Sequence, residues 1–257
     1  MGALVEIRRE GTTCVLTLNR PEKLNALSTE LERELGTAVD GNEVRTARCV
    51  VVVGAGRAFS AGADITEFRE ADPAHILAYY RETGEVYERF ADLAQPTIAA
   101  IHGYCLGGGF ELALAADFRV ADETAVFGMP EVGIGIIPSS GGTHRLARLV
   151  GPARAKELLL LRDRVPARDA LAMGLVTEVV DKGEAPGRAL DLAGKLAELP
   201  ALAVELAKRS ADAMAESSRE AGILIERLAY GMLAQTLDAQ EAAEAFTEKR
   251  EPRFEGR

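Results

Sequence analysis

Tryptophan is absent from the 257 residues, and aromatic residues make up only 5% of the chain. The core must therefore be built mainly from Ala, Val, Leu and Ile, and a 47% hydrophobic content allows it to be a sizeable one. Cysteine is nearly lacking. Cys14, Cys49 and Cys105 are scattered, with no CxxC and no nearby His pattern. Such a set excludes a disulfide framework and a zinc site, and reads as reduced, buried thiols of a cytoplasmic protein. No stretch reaches the roughly 18 apolar residues of a membrane span. The opening MGALVEIRREG is charged from Glu6 onward, unlike a signal peptide. Positive charge is also in deficit, with 30 Lys and Arg against 40 Asp and Glu and a net charge of −10. That balance argues against nucleic acid or an anionic membrane as partner, since both reward clustered cations. It leaves room for one anionic small molecule, which needs only local positive charge.

The first half alternates strand and helix patterns. Segments 3–8 and 13–19, separated by Glu10-Gly11, predict a hairpin. Ser28 offers a helix cap before the spaced Leu31, Leu35 and Val39. Residues 49–53 and 96–101 are short apolar runs that suit strands buried on both faces. Helices are expected over 73–93, in FELALAA at 110–116, and over 144–149 and 153–161. Further strands are expected over 118–121, 125–127 and 176–180. From Ala185 the pattern is helical throughout, with breaks at Pro200 and around Ser217-Ser218. We place a division at 195/196, with a site-bearing α/β part over 1–195 and a helical part over 196–257. The latter has too little area to fold alone and should pack on the core or on another subunit.

Two glycine-rich loops follow buried strands: 54–64 (GAGRAFSAGAD) and 103–109 (GYCLGGG). Ligands of open α/β sheets bind where strands end and helices begin. Small residues let a ligand approach the backbone, and a helix N-terminus presents unpaired N–H groups. Two such loops side by side could aim two N–H donors at one developing negative oxygen. Neither ends in GK[ST], and the glycine run lacks GxGxxG spacing, so phosphate-loop and dinucleotide readings fail. Glu111 lies inside the apolar FELALAA, and Glu131 in FGMPEVGIG. Buried carboxylates are costly unless paired or protonated, and two of them with separated pKa values can act as acid and base. A glycosidase could use such a pair, but sugar sites favour stacking aromatics, which are scarce here.

These segments together resemble the enoyl-CoA hydratase/isomerase (crotonase) family. The matching stretches are LNRPEKLNALS at 18–28, GRAFSAGADI at 56–65, AAIHGYCLGGGFELALAADFRVA at 99–121, FGMPEVGIGIIPSSGGTHRL at 127–146 and AFTEKREPRF at 245–254. The resemblance implies a crotonase-like α/β spiral of ββα units with a helical C-terminal trimerisation region, assembled as a homotrimer or homohexamer. It implies an acyl-CoA thioester as substrate, with coenzyme A part of that substrate, no separate cofactor and no metal. The family's oxyanion hole maps onto the N–H groups of Ala61 and Gly108, and its hydratase glutamates onto Glu111 and Glu131. Having both glutamates favours reversible hydration of trans-2-enoyl-CoA over Δ3,Δ2-enoyl-CoA isomerisation; GGGFELALAADF also resembles the carnitinyl-CoA dehydratases. The resemblance places Lys23, Leu24, Ala26, Ala63, Asp64, Ile65, Pro138 and Gly141 along the CoA thioester, and Tyr230 and Lys249 at a neighbouring subunit's ligand. The acyl-pocket walls are expected from 66–90 and from the region after Glu131. His144, where Gln is common, is expected to be structural, as is His102, and His75 to lie on the surface.

Overall fold

The computed structural model describes residues 2–68, 73–161 and 163–256. The expected surface position of the His75 side chain lies outside what is described. The hairpin forms as β1 (Val5–Glu10) and β2 (Thr13–Leu18). Next come α1 (Thr29–Val39), whose cap Ser28 accepts a hydrogen bond from the Leu31 N–H, and a short α2 (Asn42–Arg45). The buried runs become β3 (Cys49–Gly54) and β4 (Thr97–Ile101), joined through α3 (Pro73–Ala91). The loop expected over 103–109 contains a strand, β5 (Tyr104–Leu106), before α4 (Gly108–Ala115). Three residues of pairing are too short to register as a period. β6 (Phe118–Asp122), β7 (Val126–Gly128) and α5 (Gly142–Leu161) follow. α5 bends at Gly151, which has φ 77°, so the two expected helices meet there end to end. β8 (Val165–Pro166) and α6 (Ala167–Ala172) went unforeseen, again for lack of length. After β9 (Glu178–Val180) the chain is helical: α7 (Ala185–Ala197), α8 (Ala201–Met214), α9 (Arg219–Leu233) and α10 (Leu237–Glu248).

Six strands form one sheet in the order β1-β2-β3-β4-β6-β9, parallel except for the hairpin, and β5-β7-β8 form a second. The chain repeats one device. β4 in the large sheet, β5 in the small one and α4 make one ββα unit; β6, β7 and α5 make the next. β3, a bridge between Ser60 and Cys105, and α3 make an abbreviated third. This is the spiral the resemblance implies.

Alternation explains the sheet's two covers. Cys14, Leu16, Val50, Val52, Ala99 and Ile101 point into the main core, while Val15, Cys49, Val51, Ile98 and Ala100 point the other way. There α7 closes the sheet with a stripe of small residues, Ala185, Ala189 and Ala193, all fully buried. All three cysteines are buried and unpaired. α7 carries the packed region through to Ala197, two residues beyond the division drawn at 195/196. Lys208 on α8 anchors the helical tail, 2.9 Å from the Asp117 carboxylate. With a stripe this close to the strands, Ala189→Leu should overpack the layer and destabilise the chain by about 2 kcal/mol. A lowered denaturant midpoint in equilibrium unfolding checks this; an unchanged midpoint would show that α7 yields freely.

Candidate active site

The ends of the ββα units converge on one cavity of ≈100 Å³, lined among others by Ala63, Gly108, Glu111, Glu131, Ser139 and Ser140. Glu111 sits in the first turn of α4 and is 3% exposed. Its Oε1 accepts hydrogen bonds from the Ser140 N–H at 2.8 Å and the Gly142 N–H at 2.9 Å. Burial raises its pKa, and these backbone donors pull it part of the way back. Arg145 holds the donor loop by bonding the Ser140 carbonyl at 2.9 Å. Gly142 is glycine for a reason: a Cβ there would lie 2.5 Å from Glu111 Cγ.

Glu131 opens a 3-10 turn over Glu131–Ile134 after Pro130. Its Oε2 is buried and, among the described residues, has no hydrogen-bond partner. Burial, and then the neighbouring Glu111 charge, push its pKa up to about 7. Gly107, in the left-handed region at φ 50°, lets the two loops close; a Cβ there would come within 2.8 Å of Glu131 Oε1.

The expected oxyanion donor Ala61 is corrected by geometry. Its N–H is spent on the Leu24 carbonyl at 2.9 Å. The available donor is Ala63. Leu27 bridges it in parallel fashion, bonding the Gly62 carbonyl at 2.9 Å and the Asp64 N–H at 2.8 Å, which turns Ala63's own N–H to the opposite side. That side faces α4: the Ala63 nitrogen lies 3.7 Å from where a Gly108 Cβ would be. Gly108 is the first residue of α4, and its N–H, like that of Ala63, meets no acceptor among the described residues. The stretch AFSAGAD holds three alanines, and only tertiary pairing reveals which N–H is free.

The other expected contacts divide. Lys23 is exposed at the end of a 3-10 turn over Pro21–Lys23, and Leu24 and Ala26 follow it. Asn25 locks this loop to the 54–64 loop by donating to the Ala55 and Ala58 carbonyls, both at 2.8 Å. The two loops named for CoA are thereby brought together. Ile65, 56% exposed, lines the cavity mouth. Asp64 is at the same edge, but its carboxylate is taken by Thr66 and by Arg20 at 2.7 Å, which lower its pKa. Pro138 is buried outside the cavity, and Gly141 faces a separate groove; their neighbours Ser139 and Ser140 line the cavity instead. Tyr230, 74% exposed on α9, and Lys249, the left-handed C-cap of α10, are not brought to the cavity. His144 is exposed and pairs with Glu216 at 3.1 Å, and His102 contacts the Gly56 carbonyl.

Tyr79 and Tyr87, in the 66–90 segment expected to wall the pocket, line the cavity, and so does Glu32, which no expectation covered. Glu32 shares the buried stripe of α1 with Leu31, Leu35 and Val39. A carboxylate on an apolar stripe was the available signal. Arg119 was also missed. Buried, it donates to the Ala113, Ala116 and Leu175 carbonyls and so fixes the C-terminal end of α4.

Residues 8–257 match the family described as Enoyl-CoA hydratase/isomerase. The chain belongs to the enoyl-CoA hydratase/isomerase family. Among relatives of this family, it is 38% identical over 251 residues to the "Short-chain-enoyl-CoA hydratase" of Clostridium acetobutylicum, covering 96% of this chain and 95% of that one. It is 39% identical over 252 residues to the "2,3-dehydroadipyl-CoA hydratase" of Escherichia coli, covering 98% of each. A crystal structure of enoyl-CoA hydratase from Bacillus anthracis superposes with a TM-score of 0.94 at 36% identity, covering 99% of this chain and 100% of that one. The two carboxylates that the resemblance singled out, Glu111 and Glu131, both line the cavity, as do Ala63 and Gly108.

The Glu131 geometry generates a test that needs no substrate. Its folded pKa is about 7, above the ordinary glutamate value of 4.5, so between those limits the unfolded chain releases this proton first. Stability is therefore lost as pH rises through that window. Glu131→Gln should remove this loss and be more stable than the parent chain at pH 8 by about 3 kcal/mol, with no gain at pH 4. Urea unfolding at the two pH values checks it; equal gains at both would refute the buried-charge origin.

Proposed function

We propose that the chain catalyses the reversible hydration of trans-2-enoyl-CoA thioesters to 3-hydroxyacyl-CoA. One observation carries the reading: two backbone N–H groups, of Ala63 and Gly108, that meet no acceptor among the described residues share a cavity with two buried carboxyls, one of which has an oxygen without a partner among those residues. The thioester oxygen sits between the N–H donors and takes on negative charge as the enolate develops. Glu111, ionised and held by Ser140 and Gly142, accepts a hydrogen bond from the water whose oxygen adds to C3. Glu131, protonated, delivers its proton to C2, and the proton lost by the water returns to the carboxylate pair. Dehydration is the same path reversed. Losing one oxyanion donor would cost on the order of 10²–10³ in turnover.

On this reading Lys23, Leu24, Ala26, Ala63 and Ile65 flank the CoA thioester, and the Asp64 side chain holds the loop through Arg20. Coenzyme A is part of the substrate, and no other cofactor is proposed. Residues 1–195 carry the site and 196–257 the assembly surface. Leu224, Leu228 and Met232 on α9 and Phe246 on α10 are 58–87% exposed, a large apolar display for one copy. A homotrimer or homohexamer would cover it, with Tyr230 and Lys249 turned toward a neighbour's ligand. Among the described residues no helix is long and apolar enough to cross a membrane. The unpaired thiols support a reducing, cytoplasmic setting.

Loss of the conjugated-enone absorbance of crotonyl-CoA measures the reaction. Glu111→Gln and Glu131→Gln should each lower turnover at least about a hundredfold while acyl-CoA binding persists. The hydration and dehydration kcat/KM should both fall as pH rises above about 7, where the carboxylate pair loses its proton, because the proton-neutral equilibrium fixes their ratio at every pH. Conversion of 3-enoyl-CoA with no hydration would establish isomerase chemistry instead. Light scattering should return the mass of three or six chains; a monomer at micromolar concentration would reject the assembly.

A further inference from the structure

Three side chains in the cavity wall have no role in hydration as described. Glu32 is 4% exposed, yet faces the cavity. Its Oε1 accepts from the Tyr87 hydroxyl at 3.0 Å, and its Oε2 accepts from the Tyr79 hydroxyl. Tyr87 is 1% exposed, and its Oη lies 3.7 Å from where a Gly108 Cβ would be. The cluster is thus beside the proposed oxyanion donor, within reach of the first carbons beyond the thioester. The described lining leaves a cavity of ≈100 Å³, and a short acyl group that enters it lies against this cluster.

An unsubstituted tail would strip water from them and return nothing, leaving buried polar atoms partly unpaid. Each phenol O–H is already committed to Glu32, so the carboxyl oxygens and Tyr87 Oη offer lone pairs to the cavity. A carboxylate on the tail would add a further negative charge beside Glu32, Glu111 and Glu131. A hydroxyl both donates and accepts. It therefore suits Glu32 ionised or protonated, and burial pushes that carboxyl up to about 7, so both forms are accessible.

We propose that Glu32, Tyr79 and Tyr87 form a polar subsite for the acyl group, and that the preferred substrates are short 2-enoyl-CoA thioesters carrying a hydroxyl at C4 or C5. The proposal rests on the hydration reading and deepens it. Within it, Tyr79 positions the Glu32 carboxyl, and Glu32 and Tyr87 meet the substrate hydroxyl.

The test compares 4-hydroxy- and 5-hydroxy-2-pentenoyl-CoA with 2-pentenoyl-CoA and with hex-2-enedioyl-CoA. The parent chain should favour one hydroxylated ester by about tenfold or more in kcat/KM, the scale of one hydrogen bond at about 1.4 kcal/mol per factor of ten. Glu32→Leu should erase or reverse that ratio, lowering kcat/KM for the hydroxylated ester and raising it for 2-pentenoyl-CoA. Tyr79→Phe should reduce the ratio, whereas Glu32→Gln, which can still bond both phenols, should keep most of it. Calorimetric binding of saturated 5-hydroxypentanoyl-CoA and pentanoyl-CoA to the same variants reads the subsite without turnover. If hydration fails but the hydroxyl preference in binding is present and lost in Glu32→Leu, the hydration reading falls and the subsite stands. An equal ratio in the parent chain and in both Glu32→Leu and Tyr79→Phe overturns the subsite, as does a preference for the dicarboxylic ester.

Discussion

A carboxylate moved from water into a cavity of aliphatic side chains loses hydration that only hydrogen bonds or a proton can replace. Three glutamates meet that constraint around one cavity, and each meets it differently. Glu111 takes two backbone N–H groups from the 140–142 loop. Glu32 takes two phenols. Glu131 is left, among the described residues, with one oxygen unpartnered and a pKa of about 7. The environments separate a carboxylate suited to holding a water from a carboxyl suited to carrying a mobile proton, which is the division of labour that acid–base addition to an alkene requires.

Meeting the constraint demands backbone at close quarters, and the glycines follow from it. Gly142 admits the Glu111 side chain, Gly107 admits the Glu131 carboxyl, and neither site has room for a Cβ. The same close approach exposes the Ala63 and Gly108 N–H groups to the cavity rather than to a neighbouring strand. Rigidity comes from behind. Arg119 ties down the far end of α4, Asn25 ties the 20–26 loop to the 54–64 loop, and Arg145 holds the loop that serves Glu111. The donors are thereby placed before any substrate arrives, which is where electrostatic stabilisation draws its advantage.

The repeated ββα unit explains why these pieces meet. Each repeat sends a strand through the large sheet, crosses to the small one and turns into a helix, so successive turns deliver their loops to one edge. The bridge between Ser60 and Cys105 aligns the first such loop against the second. Below them the sheet is closed by the alanine stripe of α7, which keeps the scaffold thin and its strands in register.

Residue pattern by itself determined the alternation of strand and helix, the capped start at Ser28, the buried runs of β3 and β4, the helical tail, and the identity of Glu111 and Glu131. Those features are local: periodicity and an ionisable group in an apolar run can be read along the chain. Tertiary structure alone decided that Ala63 rather than Ala61 turns its N–H toward Gly108, because a free N–H is defined by which partners its neighbours have taken. It alone set Pro138, Gly141 and His144 apart from the cavity, and brought Glu32 on α1 to Tyr79 and Tyr87 on α3. The short pairings of β5 and β8 likewise exist only through their partners. What a chain places in sequence follows from its own chemistry; what a cavity contains follows from which distant segments the core has forced together.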